Sequence, residues 1–130
     1  MREIKFRGKN ENVWHYGFFS LTEAGPVIYD IEVCCVPYVV YPDTVGQFTG
    51  LLDSNGKEIY EGDILLYRLP ENMIALNSSD KSVVFYGHGM FLVSHGKIEF
   101  SVNQVLGVHG DGAVVIGNVH DNPELLRRES

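Results

Sequence analysis

Hydrophobic and polar positions alternate with a period of two along much of the chain, the period of half-buried strands. The pattern is clearest between Thr44 and Leu66. An apolar run ends at Leu52, the turn formers Asp53, Ser54, Asn55 and Gly56 follow, and alternation resumes at Lys57-Glu58-Ile59-Tyr60. Two strands joined in this way make a β-hairpin with Asn55-Gly56 at the core of its turn. Gly56 is expected at positive φ, where a β-branched residue meets a steric penalty of roughly 1–2 kcal/mol. A second turn signal, Glu61-Gly62-Asp63, comes a few residues later and feeds the apolar Ile64-Leu65-Leu66. The chain therefore bends sharply and re-enters a core, and two strands and a bend this close predict a small barrel.

The flanking segments extend the β pattern. Glu3, Lys5 and Arg7 alternate with Ile4 and Phe6, which predicts a half-buried strand with its charges outward. Gly8 to Asn12 reads as a turn, and Val13 to Phe19 is aromatic enough for a strand apolar on both faces, paired with the first as a hairpin. Thr22 to Pro26 breaks the run, Val27 to Val36 resumes it, Pro37 forces an edge or an end, and Tyr38 to Tyr41 is another short strand. The strand after the central hairpin runs through Leu65 to Leu69 and stops at Pro70-Glu71-Asn72. Asn72 to Asp80 reads as a loop in which Met73-Ile74-Ala75-Leu76 has the spacing of one helical turn. Lys81 to Tyr86, Met90 to Ser94 and Lys97 to Val102, separated by Gly87-His88-Gly89 and His95-Gly96, predict a three-stranded meander. Gly107 to Gly112 is a loop and Ala113 to His120 a final strand. A short helix is expected from Asn122 to Arg128, with Asn122 as cap, Pro123 in the first position, and Arg127 and Arg128 at the negative end.

Composition sets the scale. At 130 residues and 14.6 kDa, with 45% apolar and 21% charged residues, the chain fits one globular domain spanning 1–130. No apolar run approaches the ~20 residues of a membrane span. Charges at Arg2, Glu3, Lys5 and Arg7 occupy the place of a signal peptide's apolar region, so the chain is expected in the cytoplasm. The net charge of −7 works against attraction to phosphate backbones, although Arg2, Lys5, Arg7 and Lys9 outnumber Glu3 and Glu11 at the N-terminal edge.

The chemistry-bearing residues form no catalytic signature. Cys34 and Cys35 are adjacent, so a mutual disulfide is strained, and they lack the spacing of a zinc knuckle. His88, His95 and His109 neighbour glycines in expected turns, where solvated polar residues are ordinary. His109-Gly110-Asp111 and His120-Asp121 bring a carboxylate near an imidazole, but base catalysis or metal binding needs a third convergent group. Asp53, Glu58, Glu61 and Asp63 form the densest acidic cluster, without the ligand spacing of an EF-hand loop. Thr49-Gly50 and Gly87-His88-Gly89 open no helix as a phosphate loop must, and Ser20 and Ser94 lack a nucleophile elbow. No catalytic residue, metal ligand or cofactor is assigned.

Three blocks carry a family resemblance. Gln47-Phe48-Thr49-Gly50-Leu51 followed by Asp53 to Ile64, the opening Met1 to Arg7, and the closing Val115 to Leu126 together resemble the YopX family of phage and prophage proteins. The blocks come in the family's order and span nearly the whole chain; Arg68 to Gly112 carries no matching motif. The resemblance implies a mainly β protein built on a small SH3-type barrel with additional strands, encoded in phage or prophage genomes and without an established activity. The motif positions Phe48, Thr49, Gly50, Asp53, Gly56, Ile59, Tyr60, Gly62, Asp63, Gly117, Asn118, Asn122 and Pro123 are expected to be structural.

The leading expectation is a non-enzymatic binding module acting on another protein, with 12% aromatic residues to supply contact area. The alternative is a nucleic-acid-binding β-barrel, and a hydrolase ranks third. A homo-oligomer, most simply a two-fold dimer, is expected because Trp14 to Phe19 presents apolar groups on both faces of one strand. With no metal site assembled from Cys34, Cys35 and the turn histidines, a chelator is expected to leave the melting temperature unchanged; a fall of several degrees in EDTA contradicts this.

Overall fold

The computed structural model describes residues 3–32, 36–68, 79–107, 110 and 112–126. The chain forms two compact units, residues 1–50 and 51–130. Both are built from antiparallel sheet, and the described residues make a mainly β protein with one short α-helix. None of their helices is long and apolar enough to cross a membrane.

In the first unit, β1 (Phe6–Asn10), β2 (Val13–Thr22), β3 (Gly25–Asp30), β4 (Val36–Val39) and β5 (Gly46–Leu52) hydrogen-bond in the order β4-β3-β2-β1-β5. The β1–β2 hairpin forms as expected, but Gly8, Lys9 and Asn10 belong to the strand and the turn tightens to Glu11-Asn12, both at positive φ. The strand expected from Val27 to Val36 ends at Asp30, and the chain turns at Ile31-Glu32. Pro37 sits in the edge strand β4, where a residue without an N–H is tolerated. The sheet curls far enough that the chain leaving β4 returns to β1. Val40 packs over Gly8, the Tyr41 N–H donates to the Lys9 carbonyl at 2.9 Å, and the Lys9 N–H donates to Thr44 Oγ1 at 2.8 Å.

Two glycines permit this curl. A Cβ on Gly8 would lie 2.6 Å from a Val40 methyl, and one on Gly17 would lie 1.9 Å from the Tyr29 carbonyl oxygen. Ile28, wholly buried, and Val40 fill the concave side.

In the second unit, Leu51 and Leu52 lead into the central turn, which closes with the Asp53 N–H donating to the Lys57 carbonyl at 2.8 Å. Beyond it lie β6 (Glu58–Tyr60), β7 (Asp63–Arg68), β8 (Ser79–Val83), β9 (Phe85–Gly87), β10 (Met90–His95), β11 (Ile98–Ser101), α1 (Val102–Leu106) and β12 (Ala113–Asn118). Two three-stranded sheets result, β12-β7-β8 and β11-β10-β9. The strand expected from Lys81 to Tyr86 is thus two strands in different sheets, divided at Val84. That residue bonds the bend: its N–H donates to the Asp63 carbonyl at 2.8 Å and its carbonyl accepts from Gly62 at 2.9 Å. Ile59, Leu65, Tyr67, Val84, Val93 and Phe100, all nearly inaccessible, make the core with the apolar side of α1.

Three expectations are corrected. The described residues form several antiparallel sheets and no closed barrel: in the first unit the return to β1 is one backbone hydrogen bond and a 3-10 turn at Pro42–Thr44, not a ladder. Helix α1 replaces the end of the third meander strand, because Ser101 Oγ accepts from the Gln104 N–H at 3.1 Å and caps it. The C-terminal segment is a 3-10 turn, Pro123–Leu126, and the Asn122 side chain turns back to the Asn118 N–H rather than capping forward. The loop expected at Asn72 to Asp80 falls outside the described residues up to position 78, as do Pro70, Arg127 and Arg128.

Gly56 and Gly62 take φ of 81° and 89°, so valine at either is expected to cost at least about 1 kcal/mol. Gly17→Ala is expected to cost at least about 2 kcal/mol, because the obstruction is backbone and cannot rotate away. Chemical denaturation midpoints check all three; an unchanged midpoint in any of them contradicts the corresponding assignment.

Candidate functional site

The acidic and amide side chains of the family-like motif are engaged in holding backbone. Asp53 is buried at the head of the central turn. Its Oδ1 accepts from the N–H groups of Asn55 at 2.8 Å and Lys57 at 2.9 Å, and its Oδ2 accepts from Val115 in β12 at 2.8 Å. The Ser54 N–H adds a bond to the Ala113 carbonyl at 3.0 Å, so the turn is docked on β12. Asp63, 2% exposed, accepts from the Tyr60 N–H at 2.8 Å, and Glu58 accepts from the Tyr60 hydroxyl at 3.2 Å. Asp53 and Asp63 therefore face amides, and Glu58 faces a phenol. Among the described residues no three His, Cys, Asp or Glu side chains are grouped to hold a metal.

The closing block is a second knot. Asn118 Oδ1 accepts from His120 at 3.0 Å and Asp121 at 2.8 Å, while its Nδ2 donates to the Asp121 carboxylate at 3.1 Å. The Asn122 N–H donates to the Asn118 carbonyl at 2.8 Å, and the Val119 N–H reaches the Gly62 carbonyl at 2.8 Å. A Cβ on Gly117 would lie 2.6 Å from Asn122 Oδ1, and Pro123 opens the 3-10 turn that follows. Ile59 and Tyr60 are core, Phe48 and Thr49 are buried in β5, and Gly50 bends that strand at φ 85°.

Three His–carboxylate pairs were not singled out by sequence reasoning, of which His88–Glu99, at 3.6 Å, is solvent-exposed. His15 is 8% exposed, with Nδ1 3.2 Å from Asp30 Oδ2 and its ring stacked on Tyr38 at 3.9 Å. His95 ends β10 with Nδ1 2.6 Å from Asp80 Oδ2, rather than lying in a solvated turn. On the neighbouring strand, Ser82 Oγ donates to the Val83 carbonyl at 3.2 Å and accepts from the Ser94 N–H at 3.1 Å. A strand pattern exposes such pairs only once the strand pairing is known, since the partners of His15 and His95 are 15 residues away. His109, Asp111, Cys34 and Cys35 lie outside the described residues.

The basic edge is also rearranged. Arg7, expected to point outward, is 5% exposed, and its guanidinium lies 4.6 Å from the Trp14 ring centre. Lys9 Nζ lies 5.8 Å from the same ring and Lys5 Nζ 5.1 Å from that of Phe48, where the ring faces attract the cations. Arg2 lies outside the described residues.

The first unit also exposes apolar side chains. In the strand registers Phe18, Tyr29 and Pro37 lie side by side across β2, β3 and β4. Phe18 is 58% exposed, and Tyr16 and Val39 on the same face are exposed too.

The model described as YopX protein matches residues 4–127, nearly the whole chain. The chain belongs to the YopX family. The crystal structure of protein EF1440 from Enterococcus faecalis resembles this YopX chain with a TM-score of 0.57 at 24% identity, over 98% of this chain and 100% of that one. That likeness concerns the fold. No curated protein matches the chain.

Removing the Asp53 carboxylate leaves three backbone donors without their acceptor. Asp53→Ala is expected to cost about 3 kcal/mol, and Asp53→Asn about 2 kcal/mol because its amide NH₂ must face at least one of those donors. Urea denaturation of both variants checks this; a loss under about 1 kcal/mol in the alanine variant contradicts the anchoring role.

Proposed function

We propose that the protein is a non-enzymatic accessory protein of phage or prophage origin, acting in the bacterial cytoplasm, that works by binding another protein. The observation that carries this reading is the row Phe18-Tyr29-Pro37, exposed at Phe18 and Pro37 and half-buried at Tyr29, with exposed Tyr16 and Val39 beside it on the sheet of the first unit. Rigid aromatic side chains standing on a sheet supply contact area at little conformational cost, and such side chains dominate interface energies. Family membership supports the phage setting, and the engagement of Asp53, Asp63, Asn118 and Asn122 in backbone bonds supports a scaffold rather than a catalyst. The cations of the N-terminal edge lie over Trp14 and Phe48, and the net charge is −7, which weighs against a nucleic-acid groove.

A protein partner captured from an infected or lysogenic host by the wild-type chain is expected to bind Phe18→Asp at least about 10-fold more weakly. Capture unchanged by that substitution contradicts the assignment of the face. In an electrophoretic shift assay at low salt, micromolar protein is expected to leave single- and double-stranded DNA unshifted; tight, salt-sensitive binding would replace this reading with the nucleic-acid one.

A further inference from the structure

Among the described residues, the first unit's sheet has an open stretch of backbone edge on β4 and another on β2, and they differ. At β4 the Val40 N–H donates to Pro26, so by strand alternation Val36, Tyr38 and Val40 bond inward while Pro37 and Val39 face out. Pro37 has no N–H to offer, and the Val39 carbonyl already accepts from Asn10 Nδ2 at 2.6 Å. This edge is blunted against strand addition.

The other stretch lies on β2. Its ladder with β1 ends at the Phe6–Gly17 pair, whereas its ladder with β3 continues to Thr22. From Phe18 to Thr22 the β1 side of the strand carries no ladder among the described residues. The Tyr16 carbonyl accepts from Ile31 on the β3 side, so even-numbered residues bond to β3 and Phe19 and Leu21 direct N–H and C=O outward. Both side chains are exposed, Leu21 at 75%. An apolar edge with unpaired amides is a template for another strand.

We propose that this edge pairs antiparallel with the same edge of a second copy, joining two sheets across a two-fold axis at Ser20. The register follows from the chain. Gly17 is occupied by Phe6 and the turn begins at Glu23, so partners for Phe19 and Leu21 must come from residues 18–22. Outward residues must meet outward residues, which leaves Phe19 opposite Leu21 of the copy and Leu21 opposite its Phe19. Four backbone hydrogen bonds form, the four apolar side chains share one face, and Ser20 meets Ser20 of the copy. Charge favours a copy as occupant. The segment Gly17 to Thr22 has no charged residue in a chain of net charge −7, so it is an edge where two such chains can meet without opposing carboxylates. The two Glu23 side chains would be offset by six residues, about 20 Å, well beyond the Debye length of about 8 Å at physiological salt. This goes beyond the partner-binding face and does not depend on it.

The test combines mass and crosslinking. Sedimentation or light scattering from about 1 to 200 μM is expected to show a monomer–dimer equilibrium that tightens with added salt, as like-charge repulsion is screened. Leu21→Pro, which removes only an outward N–H, is expected to raise the dimer Kd at least about 10-fold while leaving partner capture intact; Phe18→Asp should do the reverse. In a background with Cys34 and Cys35 replaced by Ser, Ser20→Cys is expected to oxidise to a covalent dimer, because opposed non-hydrogen-bonded residues sit about 4.5 Å apart at Cα. Leu21→Cys, two residues out of register with its own copy, should crosslink far less. A mass of one chain at every concentration, or crosslinking at Leu21→Cys equal to that at Ser20→Cys, overturns the proposal whether or not Leu21→Pro folds. A monomer whose partner binding still depends on Phe18 would overturn this pairing alone.

Discussion

The second unit depends on one buried carboxylate. Asp53 gathers two amides of its own turn and one from β12, 62 residues away in sequence. A charged acceptor satisfying three backbone donors is strong enough to fix both the shape of the turn and its docking. Asp63 repeats the device at the next bend, where its carboxylate takes the Tyr60 amide and its carbonyl takes Val84. Once those two turns are set, β7 is delivered between β8 and β12, and Leu65 and Tyr67 enter the core. The Asp53 and Asp63 carboxylates hold backbone amides that a glycine-rich turn has no side chain to bond.

The first unit is governed by space. Gly8 and Gly17 let backbone and Val40 come close enough for the sheet to curl, and the curl hides Ile28 and stacks Tyr38 on His15. Aromatic rings then take up the cations of β1, so charge that looked available from the sequence is packed against Trp14 and Phe48. The exposed surface that results is apolar and aromatic on the β2–β3–β4 face, with an unblunted stretch of edge beside it.

Much of this could be read from the chain. The central turn, the positive φ of Gly56 and Gly62, the β1–β2 hairpin and the edge position of Pro37 follow from local turn chemistry and proline's missing donor. The division of β8 from β9 at Val84 could not be read, because a strand-forming run without glycine or proline looks the same whether it stays in one sheet or changes sheets. Helix α1 has a local signal in Ser101 followed three residues later by Gln104, while the alternation leading up to it continues the strand pattern as far as Val102. The candidate surface was half legible: the two-sided apolar character of Trp14 to Phe19 was plain, whereas which part stays exposed depends on where β1 stops, and that is a tertiary fact. The pairs His15–Asp30 and His95–Asp80 and the burial of Arg7 are likewise set by strand pairing and ring stacking.

The central claim is that the family motif holds the fold while the open edge and face of the first unit make contact with other molecules. Residue-resolved amide hydrogen exchange tests it most directly, since protection reports which amides are bonded and how rarely they open. The account predicts strong, concentration-independent protection at Lys57, Tyr60 and Val115, and fast exchange at Phe19 and Leu21 in dilute protein that slows as concentration rises. Fast exchange at Lys57 and Val115, or protection of Phe19 and Leu21 that is the same at every concentration, would contradict it.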